Sequence, residues 1–96
     1  MSTYTLSIAQ GNRILADDLE LLLNRIGLRI VRRRQELGLS QRALAERLGV
    51  QPTNVGRIER GEQNVTLGTL HKIATVLDTT VLDLLDAEPR SAAGKR

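Results

Sequence analysis

Between Asn24 and Leu85, apolar residues recur at intervals of three and four, the spacing that gathers them on one side of an α-helix. Capping residues divide this pattern into five predicted helices. Asn24 is a candidate N-cap for the first, in which Ile26, Ile30, Val31 and Leu37 keep a helical period before the stop at Gly38. Ser40 opens the second, with Leu44, Ala45 and Leu48 on one side and Gly49 as its stop. Pro52 suits the first position of the third, where its missing N–H costs nothing; Val55 and Ile58 face inward and Gly61 ends it. Thr66 caps the fourth, whose apolar face is Leu67, Leu70, Ile73, Ala74 and Leu77. Thr80 and Asp83 form a capping-box-like pair at the start of a short fifth helix ending at Leu85. No alternating run of β-branched residues marks a strand, and no segment repeats.

The flanks read differently. The stretch LADDLELLLNRI extends the first helix backwards from about residue 15, with Leu15, Leu19, Leu22, Leu23 and Ile26 on one stripe and Asp17 and Asp18 in its first turn. That stripe either packs on the domain's own core or serves self-association. Met1 to about Ala16 is mixed and polar, and EPRSAAGKR at the far end is small and charged; both are expected to be mobile. The expected organisation is an N-terminal extension over 1–23, a domain over 24–86 and a tail over 87–96.

Charge adds a second pattern. The net charge of +3 hides a segregated distribution: from Arg25 to Arg60 there are nine arginines against three acids, while Met1–Asn24 and Gly61–Glu88 are both acidic. A basic middle between acidic flanks fits a surface that meets a polyanion, and it equally fits a solvated arginine-rich helix. Composition excludes several chemistries. There is no Cys, so thiolate metal sites and disulfides are out. His71 is the only histidine, which rules out a histidine cluster, and beside Lys72 it reads as a surface residue. Tyr4 is the only aromatic, too few for the stacking that single-stranded nucleic acid requires. No phosphate-binding glycine loop is present. No catalytic residue, cofactor, metal or small-molecule ligand is therefore expected. The N-terminus lacks the basic-then-apolar order of a signal peptide and no apolar run is long enough to span a bilayer, so a cytoplasmic protein with no membrane partner is expected.

The junction LSQRALAERLGVQPTNVGRIERG is more particular than an ordinary helical hairpin. Two helices that cross steeply through a very short turn need a small residue where they touch, a residue tolerant of positive φ in the turn, and apolar residues that lock the angle. Ala45 answers the first, Gly49 the second, and Leu44, Leu48, Val50, Val55 and Ile58 the third. Counted from Gln41, these fall at positions 4, 5, 8, 9, 10, 15 and 18, the constrained sites of a helix-turn-helix.

With its neighbours (GLRIVRRRQELGLSQRALAERLGV, RIERGEQNVTLGTL and LDTTVLDLL), this stretch resembles the Cro and phage-repressor class, the XRE family, over about Asn24 to Leu85. The resemblance implies an all-α, compact five-helix repressor-like domain that places its third helix in the major groove of double-stranded DNA, acting as a homodimer on a two-fold symmetric operator. It implies backbone contacts from Ser40, Gln41, Arg42, Arg60 and Asn64, and base readout from the face of Thr53 and Arg57 with Gln51, Pro52 and Asn54 beside it. Arg57 is the leading base reader, since its fork spans guanine O6 and N7; the plainer alternative is a backbone contact or a salt bridge. Arg34 and Glu59 match the family's structural ion pair between the first and third helices, which removes Arg34 from the DNA list. The three arginines at 32–34 cannot all face one partner.

Two positions depart from the family pattern. Pro52 replaces a polar reader, and Gly56 lies mid-helix, where it either permits close approach to DNA or loosens the helix. The dimer surface is expected in the fifth helix, from Val81, Leu82, Leu84 and Leu85, with Leu15, Leu19, Leu22 and Leu23 as the competing face. A transcriptional regulator like the small controllers of restriction–modification systems is the reading the resemblance favours. An antitoxin that binds DNA and a toxin, and a protein-bridging coactivator, are the alternatives.

Overall fold

The computed structural model describes residues 11–85, with side chains from Asp18 onward. The expectations for residues 1–10 and 86–96 lie outside the described residues, as does the side chain of Leu15. Within them, the first helix starts at Gly11 rather than near residue 15, so residues 11–16 are helical and Asp17 and Asp18 fall beyond its first turn. Among the described residues there are five α-helices and no strand: α1 (Gly11–Glu36), α2 (Gln41–Leu48), α3 (Pro52–Glu59), α4 (Leu67–Val76) and α5 (Val81–Leu85).

The first boundary differs from the sequence reading. Asn24 is not an N-cap: α1 runs through it without a break for 26 residues. The leucine-rich approach to Asn24 contains no Gly or Pro, so nothing stops the helix there. Asn24 instead abuts Gly61, which has a φ of 73°; a Cβ on Gly61 would run into the Asn24 side chain and lie 2.9 Å from its Cα. The other ends follow local chemistry. Ser40 Oγ accepts from the Ala43 N–H at 3.0 Å and Thr66 Oγ1 from the Thr69 N–H at 3.1 Å. Gly49 ends α2 in the left-handed region at φ 76°, and its neighbour Val50 donates its N–H back to the Ala45 carbonyl at 3.0 Å. The box at α5 is only half made. Thr80 Oγ1 accepts from the Asp83 N–H at 3.1 Å, but the Asp83 carboxylate accepts from the Thr79 hydroxyl instead of returning to the cap.

One aliphatic cluster joins all five helices: Ile26 and Ile30 of α1, Leu44 and Ala45 of α2, Val55 and Ile58 of α3, Leu70, Ile73 and Ala74 of α4, Leu77 after it, and Leu84 of α5. Ala45 is fully buried, and α2 packs on α3. Gly27 is where α1 crosses the end of α3. A Cβ there would meet the backbone carbonyls of Glu59 and Ile58, so only glycine allows the approach. Two apolar residues assigned inward from their spacing lie outside. Leu67, at the first position of α4, is 70% exposed, and Val50 is 39% exposed. Leu37, just beyond α1, is also exposed.

Arginines tie the periphery down. Arg33 Nε donates to the Leu77 carbonyl at 2.8 Å and Nη2 to the Asp78 carbonyl at 3.0 Å, placing a cation on the C-terminal carbonyls of α4. Arg29 Nε does the same for the Asp83 carbonyl at 2.7 Å. No helix among the described residues is long and apolar enough to cross a membrane.

Candidate nucleic-acid interface

The outer surface of α3 and the start of α2 form one recessed face. Gln41, Pro52, Thr53, Arg57 and Arg60 line an open depression of about 390 Å³ there. Thr53 and Arg57, four residues apart in α3, are both exposed on it. Gln51, exposed at the start of α3, caps it without a side-chain hydrogen bond. Arg42 and Asn64 are exposed. Asn54 sits elsewhere: it is half-buried and lines a second depression with Leu48, Val50, Ile58, Gln63, Thr69 and Lys72, toward α4. Ser40 is engaged in capping α2.

A buried carboxylate stands behind this face. Glu59 is 6% exposed and accepts from Arg34 Nε at 2.6 Å, Arg34 Nη2 at 3.1 Å and Gln41 Nε2 at 2.8 Å. Arg34 Nη1 also donates to the Leu39 carbonyl at 2.8 Å. One side chain of α3 is thus forked to α1 and hydrogen-bonded to the first residue of α2, which ties the exposed face to the scaffold. Spacing within the sequence does not show the link between Gln41 and Glu59, because the two residues are 18 positions apart. Its consequence is orientation. The carboxylate accepts only, so the Gln41 amide must turn its nitrogen inward, leaving Oε1 free at the depression.

Arg60 is less free than its position suggests. Its Nε donates to Glu62 Oε2 at 3.0 Å and its Nη2 to Glu62 Oε1 at 3.2 Å, a two-pronged pair on the surface. The hydrogen bond from Arg60 holds the Glu62 carboxyl below its usual range, and the charges of Arg60 and Arg57 act in the same direction. In return, the Arg60 guanidinium is held above its ordinary value. Gly56 is buried between these residues. A Cβ on it would lie 3.1 Å from Arg60 Nη1 and 3.9 Å from Gln41 Nε2, so the missing side chain faces the Arg60 fork.

The basic segment divides by what each guanidinium meets. Arg29, Arg33 and Arg34 bind helix carbonyls or Glu59, while Arg57, Arg60 and Arg42 belong to the α2–α3 surface. The three consecutive arginines do diverge: Arg32 is exposed, Arg33 reaches α4 and Arg34 reaches α3. Leu84 of the expected dimer surface is 2% exposed and lies in the core. Val81 and Leu85 are half-buried against that core, leaving Leu82, 78% exposed, as the one fully outward apolar residue of α5.

Comparisons with known proteins agree with this architecture. Control protein C.SmaI of Serratia marcescens is 51% identical over 47 residues, 49% of this chain and 56% of that protein. The HTH-type transcriptional regulator SinR of Bacillus subtilis is 44% identical over 62 residues, 64% of this chain and again 56% of the relative. The chain therefore spans little more than half the length of these curated relatives. Among solved structures, the restriction-modification controller protein C.AhdI from Aeromonas hydrophila superposes with a TM-score of 0.62 at 40% identity, covering 65% of this chain and 94% of that one. SinR, solved in complex with DNA, superposes with a TM-score of 0.60, covering 64% and 98%. The helix-turn-helix family profile matches residues 30–84, more than half of the chain, and takes in α2, α3 and the turn at Gly49. This chain belongs to the helix-turn-helix family, of the XRE type.

Proposed function

We propose that the protein is a transcriptional regulator that binds double-stranded DNA sequence-specifically, as a homodimer on a two-fold symmetric operator, in the cytoplasm. The observation that carries this reading is the exposed pair Thr53 and Arg57 on α3, set in a cation-lined depression with Gln41 and Arg60 and tied from behind by Glu59. α3 enters the major groove; Arg57 reads a guanine, and Thr53, Pro52 and Gln51 contact neighbouring base edges. Arg42, Asn64 and Arg60 hold phosphates, with the free N–H groups at the start of α2 assisting beside Ser40. Asn54 is a marginal reader, because it faces α4. The C.SmaI and C.AhdI likenesses favour a controller of a restriction–modification system as the biological setting.

Selection of bound duplexes from a random library, followed by fluorescence anisotropy on the selected site, tests the reading. Arg57→Ala is expected to weaken binding by about 1–3 kcal/mol and relax preference at one base pair per half-site. Uniform weakening over all sequences would make Arg57 a phosphate contact. Failure to enrich any sequence would remove the DNA-binding reading.

A further inference from the structure

The helix α1 extends well past the domain it anchors. Its inward stripe passes through Ile26 and Ile30, both buried, yet about 22 Å of helix precedes Ile26. The same face continues toward the N-terminus as Leu22 and Leu19, which are 40% and 42% exposed and are not among the buried residues of the core. Leu15 keeps the register in the sequence, so that 15, 19 and 22 follow the alternating spacing of a coiled-coil seam, which ends where the domain's own helices cover Ile26. Asp18 and Arg25, seven residues apart, border this stripe on one side; both are exposed, and neither forms an ion pair among the described residues.

We propose that this arm pairs antiparallel with the same arm of a second copy, about a two-fold axis passing near residue 21. In that register Leu19 of each copy packs on Leu22 of the other. The side that carries Asp18 and Arg25 then meets its own equivalent, and Asp18 of each copy lies beside Arg25 of the other. The arm is self-complementary in apolar pattern and in charge, as a closed two-fold contact requires. A parallel pairing would set Asp18 beside Leu23 and leave both charges unmatched. The fifth helix is a weaker candidate, since only Leu82 projects fully from it. The inference deepens the dimer reading above by naming the surface that makes the dimer.

Sedimentation equilibrium of the full chain without DNA tests it. The wild type is expected to be dimeric at concentrations on the order of tens of micromolar. Leu19→Asp with Leu22→Asp is expected to be monomeric with unchanged helical circular dichroism, because neither residue belongs to the core. Leu82→Asp is expected to stay dimeric. Asp18→Arg or Arg25→Asp alone turns two attractions into two repulsions and should weaken association by about tenfold; the two together should restore it. A monomeric wild type, a dimer that survives the two arm substitutions, a monomer caused by Leu82→Asp, or a charge exchange without restoration overturns the proposal. Because no DNA is present, a protein that dimerises as described but selects no duplex would refute the DNA reading and leave the arm pairing standing.

Discussion

Arg34→Ala removes two of the three donors that satisfy Glu59, leaving a carboxylate whose side chain is 3% exposed with only the Gln41 amide. Removing one partner of a buried ion pair costs about 3–5 kcal/mol. Neutralising an ordinary glutamate at pH 7 costs about 4 kcal/mol, which limits the electrostatic part of the loss. Glu59→Ala is gentler, at about 2–3 kcal/mol, because the Arg34 side chain is 11% exposed and keeps its bond to the Leu39 carbonyl. Small domains have only about 5–15 kcal/mol of stability to lose, so the first variant should melt at least about 12 °C lower. Arg34→Lys, which keeps the charge but not the fork, should fall between wild type and alanine and remain measurable if the alanine variant does not fold. Urea titrations followed by circular dichroism on the four members of the cycle give the coupling directly. The double alanine variant should lose less than the sum of the single losses by about 1–3 kcal/mol. Additivity within about 0.5 kcal/mol would show that the contact does not hold α3 and would refute the reasoning.

The remaining predictions bear on packing and on the electrostatics of binding. Gly27→Ala should destabilise by about 1–3 kcal/mol or more, because its Cβ meets rigid backbone of α3. Gly56→Ala should stabilise by about 0.5–1 kcal/mol, since its Cβ meets only the far ends of the Arg60 and Gln41 side chains, which can shift where backbone cannot; equal effects in urea titrations would contradict this contrast. Operator affinity should fall with salt with a log–log slope of about −4 per dimer, from Arg42 and Arg60 on each half-site, whereas engagement of the whole basic segment would give a slope more than twice as steep. Glu62→Gln should raise DNA affinity by about two- to fivefold by releasing Arg60, read by anisotropy. Phosphate that takes Arg60 from Glu62 removes what lowers the Glu62 pKa, so the complex binds protons better than the free protein. Affinity should therefore rise as pH falls toward the carboxylate range, and Glu62→Gln should abolish that dependence.

The elements of the site were legible where chemistry is local. Ser40, Thr66 and Gly49 mark ends that depend on hydrogen bonds within one turn, and they act at those ends in the structure. Thr53 and Arg57 share a face because a helix puts positions four apart on one side. The reading of Asn24 as a cap failed for the opposite reason: a capping residue is only a potential stop, and the helix formers before it were stronger. Gly27 carries no signal of its role in the local pattern. In the sequence it looks like an ordinary helical glycine, and its purpose appears only when α3 is laid across it. Leu67 and Leu84 exchanged their expected places because an apolar stripe gives a direction and not a distance. The stripe cannot tell which of its members the neighbouring helix reaches.

By itself, the sequence determined an all-helical chain, its turn positions, the family to which it belongs and the pair of α3 residues that face outward. Those properties follow from periodicity and from backbone preferences that act within a few residues. The tertiary structure decided how each charge is used. Nine arginines look alike between Arg25 and Arg60, but Arg29 and Arg33 cap distant helix ends, Arg34 holds Glu59 and Arg60 is held by Glu62. It also decided where α1 leaves the domain and exposes its leucines. A cation is drawn to whichever carbonyl or carboxylate the fold brings within about 3 Å. That proximity is a property of helices packed together across tens of residues, and no local pattern records it.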